Sequence, residues 1–179
     1  MQTLELDRID WKILQALQEN GRLTNLEVAE RVKVAERVKV AERVNLSPSP
    51  CLRRIRRLEE AGAIAGYAAK LNPVILGLGL TAFVNVRLDK RGGSAPGKGP
   101  YDAFKASVGL WPEVVACYAM TGEMDYLLKV VVEDMDHFSR LMHDCLLAHP
   151  AVVDVRTSFV LDPIKDTTAL PLPSSAAKG

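Results

Sequence analysis

Near residue 80 the apolar pattern of this chain changes period, and that change sets two separate folding problems. Upstream, Ile9, Ile13 and Leu17 recur at the spacing of one helix face. Downstream, Leu80-Thr81-Ala82-Phe83-Val84-Asn85-Val86-Arg87-Leu88 has the composition of a strand. With 179 residues, 48% of them hydrophobic, the chain has enough apolar material for one or two modest globular domains. Collagen-like, disulfide-scaffold and wholly disordered classes are excluded on the same grounds.

The first 66 residues read as helices. Asp7 is placed to cap the first, and Gly21 ends it. Thr24-Asn25-Leu26-Glu27 matches a capping box, so a second helix begins near Asn25. A third begins at Ser47-Pro48-Ser49-Pro50, where Ser47 can cap and the prolines sit in a first turn whose N–H groups have no intrahelical partner. Gly62 closes it, and Ile64–Leu71 is expected to add a strand or wing.

Between helices two and three the hexad VAERVK runs twice (28–33, 34–39) and is followed by VAERVN (40–45). Six residues is neither the heptad of a coiled coil nor the 20–50 residues of a solenoid repeat. It reads as a short tandem duplication that lengthens helix two by 12 residues, or about 18 Å. If helical, the insert also turns the downstream chain by about 120° beyond three full turns. The third helix is then expected to leave its own chain and pack, domain-swapped, on the first two helices of a partner.

The second half reads strand 80–88, a Gly/Ser/Pro-rich loop 92–100, helix 101–110, strands 114–121 and 126–133, helix 135–147 and strand 152–161. This β-α-β-β-α-β order is the ferredoxin-like arrangement. The expected fold is therefore α+β. Its domains are a helical head at 1–66 with the repeats inside 28–45, a linker at 67–79, the sheet domain at 80–166 and a disordered tail at 167–179.

The formal net charge is only +1, but residues 1–60 hold 12 Lys+Arg against 10 Asp+Glu, and four arginines crowd the third helix. At 100° per residue, with Leu52 at 0°, Cys51, Leu52, Ile55 and Leu58 fall between about 240° and 360°. Arg53, Arg54, Arg56 and Arg57 fall between about 40° and 200°. One face can pack while the other presents guanidinium groups, which pair bidentately with phosphate or with guanine O6/N7. This is the pattern of a helix-turn-helix recognition element.

The segments LDRIDWKIL (6–14), ENGRLTNLEVAERV (19–32), NLSPSPCLRRIRRLEEAGAIAGY (45–67) and TGEMDYLLKV (121–130) resemble the Lrp/AsnC family of transcriptional regulators. The resemblance runs from about Leu6 to Asp166. It implies an N-terminal winged helix-turn-helix, a C-terminal βαββαβ domain that binds amino acids, and dimers that assemble to tetramers or octamers. It implies double-stranded DNA as a partner, with Ser47, Ser49, Arg53, Arg54, Arg56 and Arg57 as the DNA-contacting residues. It also puts the effector at Thr121, Gly122 and Asp125, with Thr157 on the last strand as a weaker candidate. The chemistry agrees. An α-ammonium calls for a carboxylate such as Asp125, and an α-carboxylate for backbone N–H groups or hydroxyls, which a turn at Gly122 can expose. The alternative is an amino-acid-binding oligomeric module whose head is disabled by the insert.

Other chemistries find little support. Gly92–Lys98 fits GxxxxGK, but Gly99 follows where a P-loop needs Ser or Thr. His137, His143 and His149 lie six residues apart, off one helix face, and the three cysteines are scattered, so no metal site is expected. No catalytic constellation and no cofactor are expected. Free thiols, the absence of an apolar leader and of a ~20-residue apolar run point to a cytoplasmic protein with no membrane partner.

Overall fold

Two carboxylates open the first helix. Asp7 caps α1 (Arg8–Glu19): its Oδ1 accepts the N–H groups of Ile9 and Asp10 at 2.9 Å each, and Asp10 Oδ2 accepts the Asp7 N–H at 3.0 Å. Thr24 and Glu27 repeat the device at α2 (Asn25–Arg37), with the Thr24 N–H on Glu27 and the Glu27 N–H on Thr24 Oγ1. Each box satisfies N–H groups that a helix start otherwise leaves unbonded. The chain is described from a computed structural model covering residues 5–37, 48–89 and 99–172, with the backbone alone at 33–37 and 48–49.

The third helix, α3 (Pro48–Glu60), ends where Gly62 takes φ +74° and the Ala63 N–H reaches back to the Leu58 carbonyl at 2.9 Å. Ile13, Val28, Ala29, Val32, Cys51, Ile55 and Leu58 form one buried core, flanked by Leu6, Ile9, Leu14, Leu17, Leu23 and Ile64. The expected swap is not seen in this single chain. Ile55 and Leu58 pack with Ile13, and Leu17 lies against the same core, all within one chain. The α2 residues described in that core, Val28, Ala29 and Val32, belong to the first copy of the hexad. The expected continuation of α2 through residue 45 lies outside the described residues.

The stretch Ile64–Leu71, expected to add a strand or wing, is irregular. Among the described residues all four strands belong to the second unit, so this segment has no neighbouring ladder to join. Tyr67 anchors it instead, donating its hydroxyl to Glu59 at 3.0 Å while its ring packs beside Gly21. Of the expected tail, residues 167–172 are described. Leu170 exchanges two hydrogen bonds with the Gln18 side-chain amide, at 2.7 and 3.2 Å.

The chain divides into two units, Met1–Lys70 with Asp166–Gly179, and Leu71–Lys165. The second runs β1 (Leu80–Leu88), α4 (Pro100–Val108), β2 (Val114–Ala119), β3 (Tyr126–Val132), α5 (Met135–Leu141) and β4 (Val152–Phe159). The strands form one antiparallel sheet in the order β2-β3-β1-β4, with Val84 opposite both Leu128 and Thr157. Residues 90–98, which hold the GxxxxGK stretch, lie outside the described residues.

Alternation decides the faces of this sheet. Ala82, Val84, Val86, Leu88, Leu128, Val130 and Val132 are buried against Phe104 of α4 and Phe138 and Leu141 of α5. The helix expected over 135–147 changes pitch midway: Met142–Leu146 is a π-helical turn, closed by the Leu147 N–H on the Met142 carbonyl at 2.8 Å. At about 4.4 residues per turn, residues five apart come close to one face. Leu146 therefore joins Leu141 in the core, and Met142 and Cys145 become only partly buried. Among the described residues no helix is long and apolar enough to cross a membrane.

Phe104 is fully buried, with ring centroids of Tyr126, Trp111 and His149 at 5.0, 6.0 and 5.4 Å. Phe104→Ala should destabilise the second unit by about 3–5 kcal/mol, measured by urea unfolding followed by far-ultraviolet circular dichroism.

Candidate nucleic-acid interface and effector turn

Four arginines on one helix do not share one environment. Arg53 and Arg56, three apart and so neighbours on the helix surface, are exposed and have no hydrogen-bond or ion-pair partner among the described residues. Arg54 and Arg57 instead turn toward α1. Arg54 Nη1 donates to Asp7 Oδ2 at 2.6 Å and to Asp10 Oδ1 at 2.9 Å, and Arg57 Nη2 donates to Asp10 Oδ2. For this pair the guanidinium groups lie against the two carboxylates that begin α1, with Arg54 27% and Arg57 47% exposed. Ser47 lies outside the described residues. Ser49 is described by its backbone alone, in the first turn of α3.

Asp10 is fully buried, the one buried charged side chain among the described residues. A carboxylate in that position is tolerable only when paired and hydrogen-bonded. Partial burial pushes the Asp7 carboxyl up. The Asp10 N–H, the Arg54 guanidinium and the Ile9 N–H outweigh that effect and hold it below the ordinary 3.8. Burial pushes the Arg54 guanidinium down, and its bonds to Asp7 and Asp10 reverse that, leaving it raised.

In the second unit the turn between β2 and β3 holds three of the expected effector residues. Gly122 has φ +113°, a conformation that L side chains rarely adopt, and no atom lies within 4 Å of where a Cβ would stand. Thr121 is exposed and Asp125 half-buried. The Asp125 carboxylate holds the turn to two other elements: Oδ2 accepts the Leu88 N–H of β1 at 2.8 Å and Oδ1 the Tyr101 hydroxyl of α4 at 3.2 Å. Thr157 is set apart from these three. It stands opposite the buried Val84, in the row that faces the core.

Its neighbour Arg156, on the other face, reaches the turn and donates to Glu123 at 2.7 and 3.4 Å. Arg156 also lies 3.6 Å from Asp154, itself 3.5 Å from Arg87. Glu123's hydrogen bond and charge push the Arg156 guanidinium up. Sequence reasoning missed Arg156, Glu123 and Tyr101. A 33-residue separation between Arg156 and Glu123 carries no periodic signal, and only the sheet order brings them together.

Comparison with known proteins covers nearly the whole chain. Residues 81–170 match the model of the Lrp/AsnC ligand binding domain, residues 6–37 that of the AsnC-type helix-turn-helix domain, and residues 37–65 a winged helix-turn-helix DNA-binding model. The two head models meet inside the hexad repeat. The leucine-responsive regulatory protein of Salmonella typhimurium is 40% identical over 166 residues, 93% of this chain and 91% of that protein. A transcriptional regulator of Neisseria meningitidis, solved as an L-Met complex, superposes with a TM-score of 0.82 at 49% identity, covering 94% of this chain and 98% of that one. An AsnC family regulator from Agrobacterium tumefaciens gives 0.78 at 34%, covering 93% and 97%.

The lowered Asp7 value fixes a pH dependence. A group held lower in the folded state contributes stability that is complete above its unfolded value and is lost as pH falls through the folded one. Head stability should therefore decline below about pH 4. Asp7→Asn keeps a good N-cap and removes the ionisation. In thermal melts across pH 2–6 its curve should be flatter there than that of the unsubstituted chain.

Proposed function

The chain belongs to the Lrp/AsnC family of transcriptional regulators, and from that membership we propose that it reads DNA through α3 and takes an amino acid at the Thr121–Asp125 turn. It is a ligand-responsive DNA-binding regulator and not an enzyme. The observation that carries the DNA reading is the division of α3. Cys51, Ile55 and Leu58 are buried in a three-helix core, while Arg53 and Arg56 stand in solvent at the other side of the same helix.

A helix so held can enter a major groove, with its first residues nearest the base edges. Ser47 and Ser49, at and just inside the start of α3, are proposed to meet phosphate there. The docking of α3 on its own first two helices favours this reading over the alternative of a module whose head is disabled by the insert.

At the effector turn the support is chemical. Gly122 bends the backbone so that its N–H groups can face a carboxylate. A carboxylate has about four acceptor positions, so Asp125 can brace the turn and still receive an ammonium. Thr157 is the weaker member, since it faces the core row. Assembly as a homodimer and higher multiples is proposed on the sheet face away from the helices. Phe83, Leu127 and Val131 are half-buried there and Tyr118 is exposed. A cytoplasmic location follows from the proposed partner, DNA.

A mobility-shift titration with DNA from upstream of the protein's own operon should show saturable, sequence-dependent binding. The fourfold Arg→Ala variant at 53, 54, 56 and 57 should abolish it. Unchanged affinity in that variant would take α3 out of the interface. Light scattering of the intact chain should give at least two chains per particle. A calorimetric panel of amino acids should find one that binds, weakened at least tenfold in Gly122→Ala. An absence of heat across the panel would defeat the effector reading.

A further inference from the structure

We propose that the four arginines of α3 divide by partner: Arg53 and Arg56 meet the nucleic acid, whereas Arg54 and Arg57 are positioning residues that fix the rotation of α3 through the carboxylates of Asp7 and Asp10. The division rests on the reading of α3 as the helix that meets DNA.

The acids cannot swing away from their arginines. Asp7 Oδ1 is taken by the Ile9 and Asp10 N–H groups, which leaves Oδ2 facing Arg54. Asp10 Oδ2 holds the Asp7 N–H as well as Arg57. The capping box that starts α1 is therefore also the acidic half of a clamp on α3. Arg54 bridges both acids, and its side chain is only 27% exposed. Moving it to a phosphate would strip one of two cations from a carboxylate that has no contact with water. Within the clamp two positive and two negative charges cancel. The helix then offers DNA the charge of Arg53 and Arg56 alone, two positive charges in place of four.

The clamp also sets what those two can reach. Arg53 and Arg56 stand three residues apart and exposed, while Arg54 and Arg57, the latter still 47% exposed, are held at the carboxylates of α1. Rotating α3 by one residue one way would bring Ile55 and Leu58 to the places of Arg54 and Arg57 and leave Asp10 unpaired; the other way would bring Arg53 and Arg56 there but push Arg54 and Arg57 into the places of the buried Ile55 and Leu58. The contacts to α1 thus select which side chains face the groove.

The salt dependence of DNA affinity separates the classes, since each phosphate contact contributes about −0.9 to the slope of log K against log salt. With the intact chain and DNA from upstream of its operon, Arg53→Ala and Arg56→Ala should each flatten the slope by about one. Their affinity deficit then shrinks about 3.5-fold between 50 and 200 mM potassium chloride. Arg54→Ala and Arg57→Ala should lower affinity and the melting temperature of the head while the slope stays unchanged. If Arg54→Ala does not fold, Asp7→Asn gives the same answer from the other side. It keeps the cap, loosens the clamp and should weaken DNA binding with an unchanged slope. Tighter binding by Asp7→Asn, or a slope flattened in Arg54→Ala as in Arg53→Ala, overturns the division. If DNA binding persists and no arginine variant alters the slope, the reading of α3 itself fails, and the division with it.

Discussion

A carboxylate sealed from water organises the head of this protein. Asp10 is fully buried at the start of α1, where an unpaired charge is costly. Arg54, Arg57 and the Asp7 N–H supply its partners. Apolar contacts are non-directional, so Ile13, Ile55 and Leu58 alone would accept a range of helix rotations. Two guanidinium groups aimed at one carboxylate accept far fewer. Burial of the apolar row supplies the attraction between α1 and α3, and the ion cluster supplies the angle.

The second unit uses a carboxylate in the same manner. Asp125 ties the β2–β3 turn to the end of β1 and to α4 through Leu88 and Tyr101. In both units an aspartate beside the functional element is held by groups from other elements. In both, directional bonds are added to an apolar core, of isoleucine, valine and leucine in the head and of valine, leucine and phenylalanine in the second unit.

Much of this was legible in the residues. Asp7 and Thr24 announce their capping boxes by local spacing, and the strand over 80–88 was readable from composition and alternation alone. What failed was whatever depended on the angle between elements. A helical wheel places Arg54 only about 40° from Leu58, at the margin of the apolar arc, but says nothing of acids on another helix. The swap was expected from the rotation an unbroken insert would impose, and residues 38–47, on which that rotation depends, lie outside the described residues. The π-helical turn at 142–146 is likewise a tertiary adjustment that local propensity does not encode. For the effector turn, Gly122 and Asp125 stood out as turn chemistry, whereas Arg156 needed the sheet order.

The first copy of the hexad supplies Val28, Ala29 and Val32 to the core of the head, and α3 supplies Cys51, Ile55 and Leu58. Tandem copies in a gene are gained and lost by slippage during replication, six codons at a time here without a change of frame. Each unit of six codons gained or lost there would leave the frame intact, and with it the sequence of every residue outside the repeat.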